Sequence, residues 1–141
     1  MPIQFSSDLA DVDWEEAAGL ISCTLARRDP APLRLAFENS QAVVFAKDET
    51  RLVGMGRALD DGVFQAVLYD ICLLPAYQSQ GHGKALLNHL LARIKGANVL
   101  LYAVPGKEAF YERFGFRKMT TAMARFGDAE RMVRLGYITP R

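Results

Sequence analysis

The chain of 141 residues has only two cysteines, Cys23 and Cys72, and they stand far apart with no close partner. That excludes a disulfide framework and a zinc site built on paired cysteines. Both thiols fall in apolar neighbourhoods and are expected as small buried hydrophobes in a reducing cytoplasm; no metal site is expected. Net charge is nearly absent as well: 17 basic side chains stand against 16 acidic ones, a formal +1. There is no basic stripe for nucleic acid and no electrostatic attraction to an anionic membrane. No apolar run approaches the ~20 residues needed to cross a bilayer. "MPIQFSSDLADVDWEE" has neither a basic nor an apolar leader segment, so no secretory signal is expected and the protein is placed in the cytoplasm. Repeats, low-complexity tracts and linkers are missing too. What remains is ordinary globular composition, half hydrophobic and 23% charged, in a length suited to a single domain over residues 1–141. A monomer or a homodimer is expected.

The order of elements is read from period and punctuation. "IQF" is a short first strand. "DVDWEEAAGLISCTLA" reads as a helix, with Trp14, Ala17, Ala18, Ile21 and Leu25 on one stripe and acids in its first turn. Pro30 and Pro32 break it, and "LRLAFENS" forms a second, shorter helix. From Gln41 to Leu74 three β-rich runs are separated by "KDET" and "DDG", an antiparallel meander. A helix from about Gly81 to Lys95 follows, with Leu87, Leu90, Leu91 and Ile94 at helical spacing and Gly96 as its C-cap. "NVLLYAV" reads as a strand buried on both faces. "PGKEAFYERFG" is a short helix stopped by Gly115, "FRKMTTAMARF" a last strand, and "DAERMVRLGYI" a terminal helical turn. The fold class is α+β in three layers, a mixed, mostly antiparallel sheet flanked by helices.

The start of the third helix, "QSQGHGKALL", puts Gly81 and Gly83 where glycine is a poor helix former. Glycine there serves an unusual dihedral or a close approach to the backbone, and the N–H groups of a helix start attract phosphate. A P-loop is excluded, because Gln78 occupies its first glycine position and Ala85 its hydroxyl position. A dinucleotide fingerprint is excluded by Leu86 at its third glycine and by the antiparallel strands that precede it. What fits is Gln-x-x-Gly-x-Gly at Gln78, Gly81 and Gly83, with Pro75 and an aliphatic strand before it and a Leu-rich helix after it. Further on stands "FYERFGF". In these motifs the chain resembles the GNAT superfamily of acetyl-CoA-dependent N-acetyltransferases, from about Ile3 to Phe126 and most strongly from Asp70 to Lys118.

The resemblance implies a GNAT-like fold in the order β-α-α-β-β-β-α-β-α-β. It implies an enzyme that moves the acetyl group of acetyl-CoA, its cosubstrate, to a primary amine by direct attack in a ternary complex. The alternative is a non-catalytic acyl-CoA-binding sensor or partner-binding module on the same fold. The pyrophosphate is expected at Gln78, Ser79, Gln80, Gly81, His82, Gly83 and Lys84, and the pantetheine arm along the backbone of Ile71, Cys72 and Leu73, with Phe110 as a further contact. Tyr111 is the expected proton donor to the leaving thiolate, a role that a phenol can fill. No glutamate lies in the strand before the turn, so Asp70 and Tyr69 are the polar candidates for the base. A structural acceptor role for Asp70, and a water chain as base, remain open. "RRDPAPLRLAFENS" and the "LDDG" hairpin are where an amine acceptor is expected to be chosen; the carboxylates of Asp60 and Asp61 would suit a cationic amine, but are read first as ordinary turn residues.

Overall fold

The structure, a computed structural model, describes residues 2–141. They form two compact units, one ending at Leu101 and one running Tyr102–Arg141. The first unit is built on a mixed sheet of five strands in the order β1-β2-β3-β4-β5. Strands β1 (Ile3–Ser6), β2 (Ala42–Asp48), β3 (Arg51–Asp60) and β4 (Gln65–Leu73) are antiparallel neighbours, and β5 (Asn98–Leu100) runs parallel to β4. Its helices are α1 (Trp14–Thr24), α2 (Pro30–Glu38) and α3 (His82–Leu91).

Local chemistry starts and stops these elements. Asp13 caps α1, its carboxylate accepting the N–H groups of Glu15 at 3.0 Å and Glu16 at 3.2 Å. The prolines expected only to break α1 also open α2: Pro30 sits at its first position, where the missing N–H would have had no partner anyway. Glu49 (φ 55°) turns β2 into β3, and Gly62 (φ 82°) turns β3 into β4. The parallel step from β4 to β5 needs a crossover, and α3 supplies it.

The core has two sides. Val43, Phe45 and Met55 join Ile21, Leu33 and Phe37 in a cluster against α1 and α2. There the rings of Trp14, Phe37 and Phe45 lie 5.6–6.1 Å apart. Intervening strand positions face α3, so that a Cβ placed on Gly56 would meet both Val44 and Leu90. Ala42–Ala46 are therefore buried in succession, without polar alternation.

Three expectations for the first unit are corrected. First, α3 ends at Leu91, not near Lys95, and Gly96 is not its cap. The Asp60 carboxylate takes the N–H groups of Lys95 and Gly96 at 2.7 and 3.0 Å, which draws this stretch out of the helix. Gly96 is small because a Cβ there would fall 2.9 Å from the Gln65 carbonyl carbon. Second, β5 is only three residues long and half-exposed at Val99 and Leu100, because its ladder on β4 stops at Val67. Third, Cys23 is exposed, although Cys72 is buried as expected.

The second unit carries α4 (Glu108–Glu112) and α5 (Ala129–Arg134). Each ends the same way. Gly115 and Gly136 adopt φ 86°, and the following N–H reaches back to Tyr111 O at 3.3 Å and to Met132 O at 2.9 Å. "FRKMTTAMARF" forms no strand; it has no ladder partner among the described residues, and Met119 and Met123 are exposed. The rings of Phe126 and Tyr137 instead lie 5.7 Å from that of Tyr102.

The starts of α1 and α2 give a direct comparison. Asp13→Ala removes two capping bonds and is expected to cost about 1 kcal/mol. Asp29→Ala removes none and is expected to cost less than about 0.5 kcal/mol. Urea midpoints at constant slope measure both; equal losses would show that the Asp13 cap does not hold α1.

Candidate functional site

Strand β4 runs into the glycine turn through a chain of local contacts. Leu74 N–H donates to Val53 O at 2.8 Å, and Pro75–Tyr77 form one 3-10 turn. The Tyr77 hydroxyl donates to Asp48 Oδ2 at 2.6 Å, which ties this turn to the β2–β3 hairpin and raises the phenol's pKa. Gln78 is extended, and its Nε2 donates to Leu73 O at 2.8 Å. Gln80 Nε2 donates to Ala76 O, also at 2.8 Å. Both glutamine side chains thus pin the turn's own backbone. Ser79 (φ 63°) and Gly81 (φ 87°) are left-handed, and α3 starts at once with His82.

Gly81 is required by its dihedral and not by crowding, since a Cβ there would meet nothing within 4 Å. The first backbone donor to close the helix is Ala85, onto Gly81 O at 3.2 Å. The N–H groups of His82, Gly83 and Lys84 lie before it, at the positive end of the helix dipole, where helix geometry provides no acceptor. Lys84 is exposed and His82 half-buried, its ring 6.2 Å from that of Tyr77. This is a run of donors suited to an anion.

The other half of the site is the end of β4. Arg57 pairs with Tyr69 and Met55 with Cys72, so Gly56 alone faces both Asp70 and Ile71: a β-bulge. Asp70 is left-handed there (φ 57°), and its Oδ2 accepts Arg57 Nε at 2.6 Å. The Arg57 guanidinium lies 5.1 Å from the centre of the Tyr69 ring and 5.9 Å from that of Phe37. The side chains of Cys72 and Leu73 are core and that of Ile71 is half-buried, which leaves the backbone as what this segment offers a ligand. Burial pushes the Cys72 thiol up to about 12, helped by the nearby Asp70 charge and opposed by a hydrogen bond with Thr24.

The structure thus joins Ile71–Leu73 to the Gln78–Lys84 turn, through the Gln78 bond to Leu73. Tyr111 and Phe110 belong to the second unit. Tyr111 is half-buried on α4, its ring 5.1 Å from Phe110 and 6.1 Å from Phe116. The hairpin aspartates hold backbone. Asp60 is lowered by the N–H groups of Lys95, Gly62 and Gly96, and Asp61 by those of Val63, Gln65 and Phe64. Both therefore act as turn residues. Arg57 is the residue that sequence reasoning missed. Its signal was a lone cation inside the apolar run "LVGMGRAL", where burial demands a partner.

The acetyltransferase (GNAT) domain family matches the chain over residues 15–127. GCN5-related N-acetyltransferase 1, chloroplastic, of Arabidopsis thaliana is 37% identical over 95 residues, covering 64% of this chain and 48% of the relative. Serotonin N-acetyltransferase 2, chloroplastic, of Oryza sativa subsp. japonica is 39% identical over 98 residues, with the same coverage of 64% and 48%. The chain spans about half the length of these curated relatives. A crystal structure from meticillin-resistant Staphylococcus aureus, described as a probable acetyltransferase, superposes with a TM-score of 0.79 at 22% identity, over 89% of this chain and 98% of that one; it shows the shared fold. Among the described residues no helix is long and apolar enough to cross a membrane.

The two thiols differ in a way that labelling can read. At pH 8 iodoacetamide is expected to alkylate exposed Cys23, while Cys72 reacts only after denaturant is added. A thiol raised in the fold adds stability that is fully present below its ordinary value of 9.0 and is lost as pH rises toward about 12. The part of the alkaline slope that Cys72 supplies should be absent in Cys72→Ala, while the part from the raised Tyr77 phenol stays. Native-state labelling of Cys72 at the rate of Cys23 would contradict the burial.

Proposed function

The chain belongs to the GNAT acetyltransferase family, and from that premise we propose that it transfers the acetyl group of acetyl-CoA to a primary amine by direct attack in a ternary complex. The observation that carries this is the turn at Ser79–Gly81, two left-handed residues that open α3 with its first N–H groups bare beside the end of β4. Such a turn fits a pyrophosphate, and the family typically uses acetyl-CoA. The family match runs through both units, which supports reading residues 1–141 as one acetyltransferase domain.

In this reading the backbone of Ile71, Cys72 and Leu73 takes the pantetheine arm as an added strand would. One of its N–H groups polarises the thioester carbonyl. The acceptor nitrogen bonds to the acetyl carbon, the carbon–sulfur bond breaks, and sulfur leaves with the electron pair. Tyr111 hands that sulfur a proton. Cys72 is the only thiol on β4, and with its pKa near 12 it is a poor acyl carrier at neutral pH, which favours direct attack over an acetyl-enzyme. The Arg57 pair supports the structural reading of Asp70 and leaves removal of the ammonium proton to water. The rice relative is named for serotonin and a soybean relative, 33% identical over 104 residues, for histone. Serotonin and a lysine-bearing histone peptide are therefore the first acceptors to try.

Acetyl-CoA should raise the melting temperature in a concentration-dependent way, by about 2.7 kcal/mol of stabilisation at a hundred times its dissociation constant. Gly83→Glu puts a carboxylate among the bare N–H groups and should abolish the shift while leaving a folded protein. No shift at millimolar acetyl-CoA would end the acetyltransferase reading; binding without turnover of any amine would favour the sensor.

Tyr111→Phe deletes one oxygen and keeps the ring, so coenzyme A affinity should change by less than about 1 kcal/mol. The rate constant kcat should fall by roughly 10²–10⁴-fold, with loss of the basic limb of the pH profile. Full activity at every pH under saturating acetyl-CoA would assign Tyr111 to packing alone.

A further inference from the structure

The segment Ile71–Leu73 is fastened at both ends. Leu73 is held by Gln78, whose side chain donates to its carbonyl at 2.8 Å. At the other end stands Asp70, a non-glycine residue in a left-handed conformation (φ 57°), which a β-strand does not adopt unless something holds it there. Arg57 is positioned to do so. It lies opposite Tyr69 in the ladder, donates from Nε to Asp70 Oδ2 at 2.6 Å, and from Nη1 to Ser40 Oγ at 3.4 Å. Ser40 in turn donates to Ala36 O at 2.7 Å. The ion pair is largely withdrawn from water, its side chains 16% and 11% exposed, so it is screened far less than a surface pair. Gly56 closes the bulge from the β3 side. A Cβ there would stand 3.2 Å from Ile71 Cγ1 and 3.4 Å from Leu90 Cδ2, so the bulged residue already rests against the strand.

We propose that Arg57 is a positioning residue for acetyl transfer: by pinning Asp70 it fixes the left-handed bulge that aims the backbone of Ile71–Leu73 at the thioester. The proposal rests on the acetyltransferase reading above. A bulge re-aims everything that follows it in its strand. Ladder pairing on the β5 side of β4 stops at Val67, so the segment beyond it is held from the β3 side alone: the Met55–Cys72 and Gly54–Leu73 pairs fix its far end, and the Arg57 contact and the Gly56 fit fix the bulge at its start. The phosphate-binding turn has its own anchors in Tyr77, Gln78 and Gln80. Loss of the ion pair therefore affects the reacting end of acetyl-CoA and spares its nucleotide end.

The test uses the intact chain with Arg57→Gln, Arg57→Lys, Asp70→Asn and the Arg57→Gln/Asp70→Asn double variant. Calorimetry with coenzyme A should give a dissociation constant within about threefold of wild type for each. Isotope-edited infrared spectra of bound [1-¹³C]acetyl-CoA should show a carbonyl band lowered in the wild type and returned toward its free position in Arg57→Gln and Asp70→Asn. With serotonin or the histone peptide, whichever the wild type acetylates, kcat should fall by about 10²-fold, the scale of an ångström's misplacement. The shape of the pH profile should be kept. Arg57→Lys should recover part of the loss and carries the test if Arg57→Gln does not fold. The double variant should be no worse than either single one, because both break one interaction. A folded Arg57 variant with wild-type kcat and carbonyl band overturns the proposal. So does loss of the acidic limb in Asp70→Asn alone, which would make Asp70 the base. If the wild type fails to bind coenzyme A, the acetyltransferase reading falls and takes this proposal with it; if it binds and the variants are unchanged, only the proposal falls.

Discussion

Ala42–Ala46 of β2 and Leu52–Gly56 of β3 are buried one residue after another, since α1 and α2 cover one face of the sheet and α3 the other. With both faces closed by apolar side chains, these strands leave no room for unpaired polar groups. Arg57, which directly follows the buried run of β3, meets this condition by pairing with Asp70 and lying against Phe37 and Tyr69. The faces are filled, and the proposed ligand site lies at the end of β4, where the strand leaves its β5 partner and the chain turns into α3.

The site proposed at that end consists mainly of main chain. The side chains of Cys72 and Leu73 belong to the core, and those of Gln78 and Gln80 bond to neighbouring carbonyls. What stays available is backbone: the peptide groups of Ile71–Leu73 and the first N–H groups of α3. A site of this kind tolerates change in most of its side chains as long as three left-handed residues, Asp70, Ser79 and Gly81, hold their dihedrals. The family's Gln and Gly positions make sense in those terms, one as an anchor of the turn and the other as its conformational hinge.

The hairpin carboxylates, read from the sequence first as turn residues, are also connectors. Asp60 joins the end of β3 to the segment after α3 by two backbone bonds, across 35 and 36 residues of chain. Asp61 closes its own hairpin with three. Each is held in its ionised form by N–H donors, so neither hairpin carboxylate is a ready partner for a cationic acceptor.

Short-range order determined what could be read directly from the sequence. The caps at Asp13 and Pro30, the hairpin turns, the Leu stripe of α3 and the spacing of Gln78, Gly81 and Gly83 all act within a few residues, so they leave a legible local pattern. They sufficed for the meander, for the existence of the five helices and for the place of the glycine turn. Tertiary structure decided the rest. Where α3 stops depends on Asp60, far away in the chain; whether "FRKMTTAMARF" is a strand depends on a ladder partner that local propensity cannot supply. The roles of Asp70 and Arg57 depend on a one-residue slip in register between β3 and β4, which brings a carboxylate and a guanidinium 13 positions apart to 2.6 Å. Nothing in the local sequence encodes that slip, because register is set by how whole strands pack against the helices on both their faces.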